Sequence, residues 1–238
     1  MQLDSQELAA LAQAAVTPRM DMYAFIHKAL RAYMSDTLVA LGRVDVNDEP
    51  ELGQICDRVR QLLDFCRAHL RHENDFIHPA MERHLPGSAA AVAQEHVGHV
   101  QAIATLADGT AQLVACAPER RAPLAHALYR QLALFVAHNF EHMQQEETQH
   151  NAVLWAHYSD AELVAIHDRL VASIPPEEMG VVLRWMLPHL TPDERAMMLA
   201  DMRRSAPPPA FEAALALARA QLTPREWDKL ARALELAP

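Results

Sequence analysis

Two segments of this chain carry the same offset between a histidine and a carboxylate: His69-x-x-x-Glu73 in FCRAHLRHENDFIHP and His142-x-x-x-Glu146 in FVAHNFEHMQQEET. On an α-helix a four-residue step puts both side chains on one face, about 6 Å apart. Each step sits in the middle of a long run of helical apolar period, so the imidazole and the carboxylate point where the core does. A buried ionised carboxylate is costly unless it is paired or bound to a metal. The chain is therefore constrained to bring two long helices face to face around these groups. His27 and His96 fall on two further expected helices. Four helices, four imidazoles and two carboxylates are the elements of a buried two-metal site.

Apolar residues at the 3.6 period predict a lead-in helix over 3–15 and longer helices over 19–41, 51–84, 89–115 and 122–157. In the 19–41 stretch Met22, Ile26, Ala29, Leu30 and Tyr33 share a face, and Gly42 ends it. Asp48 is placed to cap the next helix, with Pro50 at an early helical position. Pro79, inside 51–84, predicts a kink or restart near the end of that helix. Loops this short force sequential helices to lie antiparallel. The fold class is all-α, an up-down four-helix bundle. Beyond Ser159 the texture changes to short segments divided by prolines, with SDAEL, TPDER and TPREW as helix starts of one type. Residues 160–236 read as four or five short helices, which divides the chain into a bundle at 1–158 and a helical extension at 159–238.

Composition narrows the function classes. Only 6 glycines and 5% aromatics favour helix over sheet. The formal charge of −10 argues against general affinity for nucleic acid or anionic membrane. No apolar run reaches the roughly 18 residues of a membrane span, and the acidic start is unlike a signal peptide. Three widely spaced cysteines with no C-x-x-C suit a cytoplasmic location with reduced thiols. There is no glycine-rich phosphate loop, no G-x-S-x-G and no H-E-x-x-H, so hydrolase and nucleotide-binding readings fall away and no catalytic residue is assigned. Nitrogen and oxygen ligands without thiolate suit Fe, Mn or Zn.

Through IHKALR at 26–31, HLRHENDFIHPAMERHL at 69–85, EHVGHV at 95–100 and EHMQQEET at 141–148 the chain resembles the hemerythrin-like, or HHE cation-binding, family. The resemblance covers about residues 19–157. It implies a four-helix bundle around a non-haem di-iron centre. It places the ligands at His27, His69, Glu73, His96, His142 and Glu146, with the two glutamates bridging two irons and the histidines capping them. Oxygen-carrying members usually have a further histidine on the third helix, where this chain has Val100. His138, one turn before His142, is placed either to supply a fifth imidazole or to line the pocket beside the ligands, with His99 as the other nearby choice. Losing the usual histidine turns the expectation from pure O₂ transport toward sensing or redox handling of O₂ or NO.

The remaining candidates have plainer readings. His72, His78 and His84 are expected to be exposed or capping. His126, His150, His157, His167 and His189 belong to no motif. Glu95 and Glu147 either hydrogen-bond to ligating histidines or lie on a solvated face. Cys66 reads as a small apolar core residue, and Tyr23 and Tyr33 are the candidate donors to a bound diatomic. Two rival functions stand beside redox cycling of a carboxylate-bridged iron pair. One is an iron-responsive regulatory protein whose C-terminal helices bind a protein partner. The other is a structural helical protein, which predicts histidines pointing outward.

Overall fold

The computed structural model describes residues 19–236, so the expected lead-in helix at 3–15 lies outside the described residues. Helix α1 is Ala24–Gly42. Helix α2, Glu49–His72, starts where Asp48 accepts a hydrogen bond from the Glu51 N–H, with Pro50 in the first turn. It runs through a π-helical turn at Glu73–Ile77 into α3, His78–His84. Gly87, with φ of 86°, takes the left-handed conformation that the Pro86-Gly87 stop requires. Helix α4 is Ala90–Ala115. Helix α5, Pro118–Gln145, passes through a second π-helical turn at Glu146–His150 into α6, Asn151–His157.

These segments form the expected all-α bundle: α2 packs on α1 and α4, and α5 packs on α4 and α1. Leu30, Met34, Val59, Leu62, Ile103 and Leu132 are among the buried residues of its core. Each such side chain removed from water contributes about 1.5–3 kcal/mol. Helix α5 begins four residues before the expected start. Pro118 is at home in a first turn, where its missing N–H has no partner to lose, and Pro123 is carried inside the helix.

The kink or restart expected near Pro79 takes the form of a wide turn, after which the α-helix restarts at His78. The His78 N–H donates to the Glu73 carbonyl, five residues back, and Pro79, which needs no donor bond, follows at once. The second wide turn has no proline. There the Asn151 N–H reaches back to Glu146, the Thr148 hydroxyl donates to the Gln144 carbonyl at 2.7 Å, and Asn151 Nδ2 donates to the Glu147 carbonyl at 3.0 Å. Side chains thus satisfy carbonyls that the loosened ladder leaves short of donors.

Five shorter helices follow: α7 Asp160–Ser173, α8 Pro176–Met186, α9 Pro192–Ser205, α10 Pro208–Gln221 and α11 Pro224–Ala233. Three of them start with full capping boxes, Ser159 with Glu162, Thr191 with Glu194 and Thr223 with Glu226. The three caps are spaced 32 residues apart, and Pro175-Pro176 recurs at the same interval as Pro207-Pro208. The segment is thus a repeated helix pair, a regularity beyond the shared start signal.

Helix α8 leans on the bundle. Val182, Met186 and Leu190 join the bundle core, and the Trp185 ring stacks on Tyr33 with centroids 4.0 Å apart. Leu187, Leu199, Ala214, Ala218 and Leu230 close a second core among the short helices. Arg195 is buried beneath it, donating to the carbonyls of Leu187 at 2.5 Å and Leu190 at 2.9 Å.

Candidate metal centre

In the middle of the bundle two carboxylates lie between two pairs of imidazoles. Glu73 comes from the wide turn after α2 and Glu146 from the wide turn after α5. Glu73 Oε1 is 3.1 Å from His69 Nε2 and 3.9 Å from His27 Nε2, while its Oε2 is 3.6 Å from His96 Nε2. Glu146 mirrors it, with Oε2 3.5 Å from His27 Nε2 and Oε1 3.3 Å from His142 Nε2 and 3.7 Å from His96 Nε2. Each glutamate therefore offers one oxygen to the His27–His69 pair and the other toward the second pair.

Ligand atoms of His27, His69, Glu73 and Glu146 lie within 4.8 Å of one another, and so do those of Glu73, His96, His142 and Glu146. His27 Nε2, His69 Nε2 and all four carboxylate oxygens are buried without a well-aligned hydrogen-bond partner. Buried polar atoms left in this state cost free energy, about 1–3 kcal/mol each. Converging orphan donors of this type fit a pair of metal ions bridged by two carboxylates.

The outer nitrogens of three of the rings are held. His27 Nδ1 donates to Glu147 Oε1 at 2.9 Å, and Arg31 grips that carboxylate at 2.5 and 3.0 Å. His142 Nδ1 donates to Glu95 Oε2 at 2.8 Å, and His96 Nδ1 donates to Asn74 Oδ1 at 2.9 Å. Such partners hold a proton on Nδ1 and turn Nε2 inward, where it can bind a metal once any proton it carries is lost; the Nε2 atoms of His96 and His142 lie 3.1 Å apart. Of the two readings of Glu95 and Glu147, the structure selects the bonded one.

Burial alone would depress the His27 imidazole, but contact with Glu147 and Glu73 and the charge of Glu146 outweigh it and raise its pKa to about 9. His142 behaves alike: burial opposes, Glu146 and Glu95 prevail, and the pKa rises to about 9. Burial works against the charged forms of Glu73 and Glu146 too. The imidazoles of His69 and His27 hold Glu73 well below the usual carboxylate range. Glu146 is also raised by the charge of Glu73, yet His142 and His96 hold it low.

Several histidines are not where the sequence led us to expect them. His138 is exposed and shares neither four-ligand group. It lines a cleft of about 620 Å³ between α4 and α5, together with His99, Leu134, Phe135 and the edge of His142. His99, the other choice, is buried with its ring centroid 4.6 Å from that of His142, also outside both groups. His72, expected to be exposed or capping, is buried, with Nε2 2.5 Å from Glu178 Oε1. His84, by contrast, is exposed as expected and stacks on His157.

His78 and His150 are buried beside the glutamates, contrary to the exposed or motif-free reading given them. The signal for His150 was present, since His142, Glu146 and His150 continue the four-residue step. For His78 it was not: five residues past Glu73 is about 140° off its face in a regular helix, and only the wide turn brings it back. Tyr23 is fully buried and its hydroxyl lies 2.9 Å from His150 Nδ1. Tyr33 is engaged with Trp185 and the Arg58 carbonyl. Burial pushes the Cys66 thiol up to about 12, in keeping with an unreactive core residue. Compared with known proteins, the chain matches no family model, no curated protein and no solved structure at a significant level.

Proposed function

We propose that this is a hemerythrin-like protein whose paired positions hold two iron ions, and that it handles or senses O₂ or NO by redox cycling of the carboxylate-bridged centre. The observation that carries the reading is the disposition of Glu73 and Glu146, each directing one oxygen to each imidazole group. A bound iron pair would supply reversible one-electron steps and positions for a small diatomic ligand. Mn or Zn would accept the same donors, and iron is the proposal.

The chain's own residues do the rest. His27, His69, His96 and His142 would hold the ions. Glu147 and Glu95 fix the rings of His27 and His142. The surrounding leucines and methionines exclude water. The cleft that reaches His142 offers a path for a diatomic, with His138 on its wall rather than as a fifth ligand. We place the protein in the cytoplasm, where Cys56, Cys66 and Cys116, all free, stay reduced. In this proposal the bundle spans residues 1–158, and the helical extension at 159–238 docks on it through α8.

A second reading, an iron-responsive regulator whose C-terminal helices engage a protein partner, has one specific support. Lys28 pairs with Glu194, and Arg71 and His72 pair with Glu178. These contacts tie α8 and α9 to residues adjoining His27 and Glu73. Hydrogen exchange in α8 and α9 that is unchanged by iron would remove this reading.

The first test is elemental analysis of untagged protein from iron-supplemented cells, with absorption spectra before and after air exposure. Two irons per chain with oxygen-dependent ligand-to-iron bands are expected. Folded protein that contains no iron and refuses reconstitution would overturn the proposal.

A further inference from the structure

Outside the two four-ligand groups stands a third imidazole pair. His78 opens α3 directly after the first wide turn, and His150 closes the second. They are 7% and 2% exposed, and the Nε2 of each is buried without a hydrogen-bond partner. Their rings meet edge to face with centroids 5.5 Å apart. A ligand atom of each lies within 4.8 Å of the other and of a Glu146 oxygen.

We propose that His78, His150 and Glu146 form a third metal position, for a divalent transition ion that takes nitrogen and oxygen ligands, adjoining the pair. The proposal rests on the reading of the pair as metal-binding in one respect, that Glu146 is shared.

Three observations separate this position from a merely buried pair of rings. His150 is built like the His27 ring: its Nδ1 is tied to the Tyr23 hydroxyl at 2.9 Å and its Nε2 is buried without a partner. That is how His27 is held by Glu147; His96 and His142 have Nδ1 tied in the same way, to Asn74 and Glu95, with their Nε2 atoms 3.1 Å from each other. Next, each position of the pair already has two imidazoles and two carboxylate oxygens, a complete four-donor set. His78 and His150 group with Glu146 but not with Glu73, so they mark a separate point in space. Finally, Glu146 has an imidazole pair on each of three sides, His27 with His69, His96 with His142, and His78 with His150.

Charge sets the order of filling. Glu73 and Glu146 offset only part of the charge of two divalent ions, so a third ion adds repulsion at short range. It fills last and leaves first.

The test uses the full chain, stripped with chelator and titrated with Zn²⁺, which has no redox chemistry. Bound zinc is counted by elemental analysis at defined free Zn²⁺, alongside calorimetry. Three equivalents are expected, two tight and one at least tenfold weaker. His78→Ala/His150→Ala should lose only the weak equivalent and keep the tight class within about threefold. His78→Gln/His150→Gln, which preserves more side-chain volume, should do the same if the alanine variant unfolds.

Two equivalents in the wild type overturn the third position. A tenfold loss from the tight class in the double variant also overturns it, because the two rings would then be ligands of the pair. Failure of the pair reads differently: the tight class is missing, while any single equivalent that survives Glu73→Ala but not the double variant belongs to the third position. No binding at all overturns both.

Discussion

Filling the pair should expel protons, and the number follows from the charges around it. Metals bind neutral imidazole. With pKa values of about 9, His27 and His142 are each about 99% protonated at pH 7 in the metal-free protein. Glu73 and Glu146 are held low and are already ionised, so they release nothing. Loading both positions with Zn²⁺ at pH 7 should therefore release about two protons per chain, and the overall binding constant should rise about 100-fold from pH 7 to pH 8. Calorimetric titration in buffers of different ionisation enthalpy reads the count from the slope of heat against buffer enthalpy.

The same groups fix how the metal-free fold responds to pH. Raised histidines contribute stability that is complete below their unfolded pKa near 6.5 and lost as pH climbs through about 9. Depressed glutamates contribute above about 4.5 and lose it as pH falls. The melting temperature of the metal-free protein should thus decline between pH 6.5 and 9, with a ceiling on the order of 3 kcal/mol per histidine, while the zinc form stays level. Release of less than about half a proton, together with a flat metal-free profile, would refute the ion pairing at the centre of the bundle.

Three further outcomes follow from single contacts. Glu73→Ala or Glu146→Ala should lose most of both ions by elemental analysis, and full occupancy in both variants would sink the bridging assignment. Glu147→Gln weakens the support of the His27 ring and its tie to Arg31, so zinc affinity should fall about 10- to 100-fold with the fold retained; an unchanged dissociation constant would show that this carboxylate does not tune the site. Trp185→Ala removes the half-buried ring stacked on Tyr33, which should cost about 2–3 kcal/mol in urea unfolding, and a loss under about 0.5 kcal/mol would mean that α8 is not packed as described.

The bundle was legible because its signals are local and repeated: long apolar periods, a cap at Asp48, stops at Gly42 and Pro86-Gly87. The pairing of His69 with Glu73 and of His142 with Glu146 was legible for the same reason, since a four-residue step has one meaning on a helix. Tertiary contacts were not. His72 has no pattern of its own, and its burial depends on Glu178, more than a hundred residues away. The second core of the short helices hid in the 32-residue spacing of three caps, which reads as a series of starts until the spacing is measured.

His78 was lost for a different reason, and it shows what the site asks of the backbone. His69, Glu73 and His78 are separated by steps of four and then five, and no regular α-helix keeps all three on one face. The chain resolves this by widening the turn at Glu73, beside a proline that could not have completed the ladder in any case. It widens the corresponding turn at Glu146, where no proline asks for it, and spends the side chains of Thr148 and Asn151 on the carbonyls so loosened. Both departures begin at the residue that must reach two imidazole groups at once. A departure from the regular helix made twice, at matching points on helices that lie across the bundle from each other, and compensated by different local means each time, has its common cause in the glutamates and not in the helices.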